Sequence, residues 1–169
     1  YNQAMVLTEA AYHIHGPVYL RTSREPMPLV TQPGQQVEIG KAQQLRQGRD
    51  LCIVSTGIMT PLAMEAAETL AAEGIQASIL NLHTIKPLDL DTICQCVLDC
   101  GGRILVCEEA NRCGGIGEAI AYGLLGKVPA RMAHVAVDDR FGQSGLTGEL
   151  LEEYGITAAN IAAQARTLF

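Results

Sequence analysis

The sequence predicts an α/β protein, in which helices cover both faces of a mainly parallel sheet of about five strands. Two observations predict this class. Beyond Asp50, short apolar runs alternate with segments of roughly ten residues that have the spacing of amphipathic helices. The short runs are apolar throughout instead of alternating, as in parallel strands that are buried on both faces. Right-handed crossovers between such strands place helices on both sides of the sheet.

The first 48 residues predict a helix, a strand and a connector. Apolar and small residues recur at helical spacing from Asn2 to His15, and Gly16 with Pro17 ends that pattern. A strand is expected at residues 17–21. The stretch from Glu25 to Asp50 has three prolines and many glutamines, and residues 31–48 within it predict a surface linker with a short strand around residues 37–39.

The main part, residues 49–169, predicts four strands that alternate with helices. Thr60 is the expected N-cap of its first helix, and Gly74 lies just past the end of that helix. Together these elements predict a three-layer α/β/α sandwich with a Rossmann-like sheet. The strands are LCIVST, QASILNL, RILVCEE and AHVAVDD, and the helices are TPLAMEAAETLAAEG, DLDTICQCVLDC, GIGEAIAYGLLGK, TGELLEEYG and TAANIAAQARTLF.

Composition and charge exclude several classes of function. The net charge is −6, and the 12 basic residues are scattered, so neither a nucleic acid nor a membrane is expected as a partner. No apolar run reaches the about 20 residues of a membrane span, and no signal peptide is visible, which predicts a cytoplasmic protein. The six cysteines lack a Cys-x-x-Cys zinc spacing, so they are expected to be reduced thiols that pack as small hydrophobic residues.

Candidate site residues lie in the loops that follow the strands, because ligands of open α/β sheets bind at the carboxyl ends of the strands. His83 could donate a proton or recognise a substrate, or simply bond to neighbouring backbone. Glu108 and Glu109 could divide acid and base roles, and the GGIG motif that follows them could hold a phosphate. That motif follows the third strand of the main part instead of the first, which favours a structural turn over a dinucleotide site.

Five stretches occur in an order that resembles the C-terminal third of transketolase, especially the split form whose C-terminal subunit is a separate polypeptide. They are GPVYLRTSRE, IGKAQQLRQGRDLCIVSTGIMTPLAMEAAETLAAEGI, LNLHTIKPLD, EEANRCGGIGEA and DDRFGQSGLTGELLEEYGIT. The resemblance implies that residues 1–30 are the last helix and strand of a pyrimidine-binding domain. It implies that residues 49–169 are a transketolase C-terminal domain, which in this family chiefly supports the dimer.

The resemblance also implies a cofactor, partners and a role for Arg24. Family members bind thiamine diphosphate and a divalent metal such as Mg²⁺ on other domains, so neither is expected on this chain, which would be inactive alone. The implied partners are those N-terminal domains or a subunit that carries them, a second copy in a homodimer, and a sugar phosphate substrate. An arginine in the same SR context contacts the substrate phosphate in transketolases, and Arg24 matches it. The alternative is a surface arginine that pairs with Glu25 or Glu38.

Three functional interpretations remain open on this basis. A transketolase would move a two-carbon ketol unit from a ketose phosphate to an aldose phosphate. Deoxyxylulose phosphate synthase and the beta subunits of 2-oxo acid dehydrogenases share the KPLD, EEA and GG-x-G motifs, but they resemble the end of this chain less. A non-catalytic α/β interaction or regulatory module is the third. The reading frame upstream of Tyr1 would separate them, since a pyrimidine domain there favours an enzyme and a start codon favours the module.

Overall fold

A five-stranded sheet with helices on both faces organises the computed structural model, which describes residues 2–169. Four of the five strands coincide with the apolar runs of the main part, and the helices coincide with segments of helical spacing. In chain order the elements are α1 (Asn2–Tyr12), β1 (Gln43–Arg46), β2 (Leu51–Ser55), α2 (Met59–Ala72), β3 (Ala77–Asn81), α3 (Leu90–Asp99), β4 (Arg103–Asn111), α4 (Ile116–Leu124), β5 (Arg131–Val137), α5 (Thr147–Glu153) and α6 (Ala158–Arg166).

The sheet has the strand order β1-β3-β2-β4-β5. Strands β3, β2, β4 and β5 are parallel, and β1 is antiparallel to β3 at one edge. This is the predicted fold class. The carboxyl ends of the four parallel strands therefore share one edge of the molecule, and the loops that were expected to carry the site leave from that edge.

Two hydrophobic cores explain why the central strands are apolar throughout. Leu51 and Ile53 of β2 pack in the core under α2 and α6, whereas Cys52 and Val54 pack in the core under α3 and α4. Successive side chains of a strand point to opposite faces, so a strand that is covered on both faces needs no polar positions. All five residues of β2 and all five of β3 are buried.

Four of the six cysteines are buried as predicted, whereas Cys94 is half-buried and Cys113 is exposed. Within these two cores, Cys52, Cys96 and Cys100 lie on one side of the sheet and Cys107 on the other, and all six cysteines are free thiols.

Two predicted strands differ from the structure. Residues 17–21 form no strand within the described chain, because a strand needs a neighbour to bond to and no described residue provides one. The strand expected around residues 37–39 is also wrong, since the short strand of the predicted linker is β1, at Gln43–Arg46. Its polar, half-exposed sequence is typical of an edge strand, and it has no apolar run that would mark it.

The predicted helix boundaries are partly correct. Gly74 has a φ of +88° and follows the last helical turn of α2, as expected. Thr60 is not the N-cap, because α2 begins at Met59 and the cap position is Ile58. None of the helices within residues 2–169 is long and apolar enough to cross a membrane.

Candidate functional site at the carboxyl edge of the sheet

A chain of polar side chains joins the carboxyl ends of β2 and β3 to helix α1. Ser55 Oγ donates to Thr60 Oγ1 (3.2 Å), and Thr60 Oγ1 donates to Asn81 Oδ1 (3.3 Å). Asn81 Nδ2 donates to Gln3 Oε1 (3.0 Å), and Gln3 Nε2 donates to Gln43 Oε1 (2.6 Å). Thr60, the expected cap, therefore turns its hydroxyl inward, and α1 lies against this edge of the sheet.

Sequence reasoning missed this polar chain. The signal that was available is a polar residue at the end of each of two apolar strands, Ser55 and Asn81. The partner on α1 lies 78 residues from Asn81, so the connection depends on the tertiary fold.

Glu108 is buried near the end of β4 and caps helix α4. Its side chain is 2% exposed, and it accepts hydrogen bonds from the N–H groups of Ile116 and Gly117, both at 2.9 Å. His134 Nε2, on β5, donates a third at 2.8 Å. Burial by itself would raise the pKa of Glu108, but the hydrogen bonds from His134 and from the two backbone N–H groups outweigh it and lower the pKa below its ordinary value.

The GGIG motif makes room for this carboxylate. A Cβ on Gly115 would overlap the Glu108 carboxylate, and a Cβ on Gly117 would overlap the His134 ring. The free N–H groups at a helix N-terminus attract an anion, and here the chain's own carboxylate fills that position. The geometry therefore favours a structural turn over a phosphate cradle at the GGIG motif.

Glu109 points away from Glu108 and contacts the N-terminal part of the chain. Its side chain is 27% exposed, and its Oε1 lies 2.8 Å from Nη2 of Arg21. The register of β4 against β5 shifts between Cys107 and Asn111, so the two glutamates lie at an irregular point of the strand. With one carboxylate buried in a cap and the other in an ion pair, they do not form the acid–base pair that their adjacency suggested.

Arg24 presents a free guanidinium at the surface. Its side chain is 94% exposed, and within residues 2–169 its ion-pair partner is Glu25, at 3.8 Å, with no pair to Glu38. At that length the pair leaves the guanidinium N–H groups accessible to another anion. The structure thus leaves Arg24 available for the expected phosphate contact, which stays a prediction.

His83 follows β3 and lies at a separate position. The ring is half-buried, its Nδ1 lies 2.9 Å from Thr84 Oγ1, and burial lowers its pKa, so it is neutral at pH 7. It lines an open cleft of about 580 Å³ together with Val6, Lys41 and Gln43. Arg24 and His83 share no hydrogen-bond or ion-pair partner among the described residues.

Comparison with known proteins gives the family. A family model for the C-terminal domain of transketolase matches residues 40–161. The chain is 40% identical over 150 residues to the 6-deoxy-6-sulfo-D-fructose transketolase subunit SqwH of a Clostridium species, an alignment that covers 89% of this chain and 46% of that protein. It is 36% identical over 170 residues to the 1-deoxy-D-xylulose-5-phosphate synthase of Heliobacterium modesticaldum, covering 99% of this chain and 26% of that protein.

A solved structure agrees with these relatives. The fold superimposes on a split gene transketolase, described as an inactive beta4 tetramer, with a TM-score of 0.92 and 36% identity. That match covers 96% of this chain and 53% of the other.

The fold and the matched model define an α/β domain of the kind that ends transketolase chains. This chain belongs to the transketolase family and is a C-terminal section of it. It spans about half the length of the Clostridium subunit and of the split gene transketolase, and about a quarter of the synthase.

Proposed function

We propose that this chain is part of an enzyme that transfers a two-carbon ketol unit from a ketose phosphate to an aldose phosphate. In that enzyme it supports the dimer and supplies Arg24 as a ligand for the substrate phosphate. The observation that carries the proposal is the similarity of the whole chain to a split gene transketolase, at a TM-score of 0.92. The exposed guanidinium of Arg24 supports the assigned role, since its planar fork of donors suits phosphate oxygens and stays charged at working pH.

We propose that thiamine diphosphate and its metal bind outside this chain, and two features of the described residues support that placement. Within residues 2–169 there is no group of three or more His, Cys, Asp or Glu side chains that could hold a metal ion. The anion position at the N-terminus of α4 is filled by Glu108. We therefore place the cofactor and Mg²⁺ on the N-terminal domains or subunit, and the role of this chain lies in substrate binding and assembly.

An exposed apolar surface on the N-terminal section supports such a partner. Of the fourteen large hydrophobic residues that are exposed within residues 2–169, half precede residue 30. Large apolar side chains that are exposed together in one section of a chain are typical of a protein interface. We propose that residues 1–30 complete a preceding domain and that the assembly is a homodimer. The exposed residues of this section are Met5, Tyr12, Ile14, Val18, Tyr19, Leu20 and Leu29.

We also propose a cytoplasmic location. All six cysteines are free, and reducing compartments keep thiols in that state. Cell fractionation with an antibody against the chain would test this, and recovery in a secreted fraction would contradict it.

The proposed function is tested on the complete assembly, meaning this chain joined to its N-terminal domains or subunit. Arg24→Ala is expected to raise the KM for the phosphorylated aldose by about 10- to 150-fold, because one charge-assisted contact is worth about 1.5–3 kcal/mol. The KM for an unphosphorylated acceptor should change little. Arg49→Ala is the matched control, since Arg49 is exposed at the opposite edge of the sheet, just before β2. An unchanged KM in Arg24→Ala would leave Arg24 as a surface residue paired with Glu25.

The synthase is a second candidate, because 36% identity to such an enzyme extends over 99% of this chain. Formation of 1-deoxyxylulose 5-phosphate by the complete assembly, in place of ketol transfer, would favour it. The assay should also offer a 6-sulfonated ketose, since a relative is named for that sugar. A sulfonate carries oxygens that a guanidinium can bind in the same way as a phosphate.

A further inference from the structure

The segment that carries Arg24, residues 16–30, has few polar attachments. Among residues 2–169, the backbone of this segment makes no hydrogen bond to any strand or helix. The bond from Ser23 Oγ to the carbonyl of Glu25 stays within the segment, and so does the pair of Arg24 with Glu25. In the described chain, the ion pair of Arg21 with Glu109 is the one polar side-chain contact that leaves it.

We propose that Glu109 is a positioning residue for the substrate anion, because it holds Arg21 and through Arg21 the segment that presents Arg24. The inference rests on the proposed role of Arg24. Glu109 belongs to β4, next to the buried Glu108, and its side chain is 27% exposed against 65% for Arg21. The carboxylate is therefore the anchored partner, and the arginine belongs to the loosely attached segment.

The geometry limits where Arg24 can lie. Arg24 lies three positions after Arg21, and an extended chain spans at most about 3.6 Å per residue, so an anchored Arg21 keeps the Arg24 Cα within about 11 Å of the Arg21 Cα. Without the anchor, polar contacts among the described residues hold the segment only at its ends, one at α1 and the other near Thr31, where Asn2 donates to the Thr31 carbonyl. The ion pair thus shortens the free length of chain that has to be ordered when a phosphate binds.

A positioning role of Glu109 and a purely long-range electrostatic effect of its charge predict opposite results for Glu109→Gln. Removing a carboxylate near an anion site should strengthen anion binding if only long-range charge matters. If Glu109 positions Arg24, the same change weakens anion binding. An exposed ion pair contributes about 0.2–1 kcal/mol, which predicts a KM for the phosphorylated aldose that rises about 1.4- to fivefold with kcat unchanged.

The experiment uses the complete assembly and two readouts, the KM for the phosphorylated aldose and the Ki of inorganic phosphate as a competitor. Both should rise in Glu109→Gln and return to within about twofold in the reversed pair Arg21→Glu with Glu109→Arg, which restores an ion pair of similar strength. Glu73→Gln is the matched control. It breaks the exposed pair with Arg166 (2.6 Å), at the far edge of the sheet, and should change neither constant.

A second experiment, made in the Arg24→Ala variant, separates this inference from the proposed function. In Arg24→Ala, the further change Glu109→Gln should have no effect on either constant, because the residue that it positions is gone. If Arg24→Ala leaves the KM unchanged, the proposed role of Arg24 is wrong. If Arg24→Ala raises the KM but Glu109→Gln lowers it or leaves it unchanged, the role of Arg24 stands and the positioning role of Glu109 is refuted.

Discussion

The buried cap of α4 is open to a quantitative test by Glu108→Gln. The carboxylate of Glu108 accepts three hydrogen bonds, and a bond to a charged group contributes about 1.5–3 kcal/mol. Glutamine keeps one acceptor oxygen, but its NH2 group replaces the other oxygen. At least one of the three N–H donors then loses its acceptor. We expect the free energy of unfolding to fall by about 2–4 kcal/mol, because one charge-assisted bond disappears and the remaining bonds weaken. For a domain of this size, the melting temperature should fall by about 5–15 °C.

The same residue predicts a pH dependence with a definite sign. The folded pKa of Glu108 lies below its ordinary value of 4.5. A depressed carboxyl pKa stabilises the fold above the unfolded value, and this contribution is lost as the pH falls through the folded pKa. The difference in unfolding free energy between the unchanged chain and Glu108→Gln should therefore have its full value at pH 7 and decrease below about pH 4.5.

Urea unfolding of the chain, followed by circular dichroism at pH 7 and at pH 4, measures both effects. Glu118→Gln is the matched control, because Glu118 lies in the first turn of the same helix and accepts one bond, from the Gly114 N–H at 2.9 Å. Its exposed side chain should contribute only about 0.3–1 kcal/mol. An equal loss in the two variants, or a Glu108→Gln loss that is the same at both pH values, would refute the buried cap.

Two further stability predictions use the same unfolding assay. Gly117→Ala should lower the free energy of unfolding by about 1–3 kcal/mol, because the new Cβ overlaps the His134 ring, whereas Gly148→Ala should cost nothing since no atom lies within 4 Å of its Cβ. Equal losses of unfolding free energy in Gly117→Ala and Gly148→Ala would contradict the close packing of Gly117 against His134. Asp89→Ala should cost about 1–2 kcal/mol, because Asp89 caps α3 and also accepts a bond from the Ala42 N–H at 2.8 Å. A loss below about 0.5 kcal/mol would show that the cap is solvated instead.

The parts of the fold that were predictable from sequence are those whose signal is local. Strands β2 and β3 are buried on both faces, so their apolar runs identify them without knowledge of any partner. Gly74, with its φ of +88°, marks the end of α2 because few other residues adopt that conformation.

The strands that were mispredicted depend on their neighbours. Strand β1 is antiparallel to β3 at the edge of the sheet, and its sequence, QQLR, has neither an apolar run nor a regular alternation. Residues 17–21 have an apolar run, but no strand lies beside them among the residues that the structure describes. A strand is stabilised by its ladder, so local sequence cannot decide whether a partner exists.

The site shows the same division between local and long-range information. The sequence places Glu108 beside Glu109, but their different roles depend on His134, 26 residues after Glu108, and on Arg21, 88 residues before Glu109. Carboxylates of one type acquire different behaviour from burial and hydrogen-bond partners, which are tertiary properties. Adjacency in the sequence therefore left an acid–base pair possible, whereas in the fold Glu108 caps a helix and Glu109 forms an ion pair.

The contacts of the N-terminal section divide it into a polar side and an exposed apolar side. It meets its own C-terminal domain through polar side chains, among them Gln3 to Asn81 and Arg21 to Glu109, while Tyr12 and Tyr19 are more than four-fifths exposed. Burial of apolar surface stabilises a protein by about 25 cal/mol per Å², so these exposed residues would add stability if a partner covered them. We infer that the apolar side faces the proposed N-terminal domains or subunit and that the polar side keeps Arg24 in register with residues 49–169.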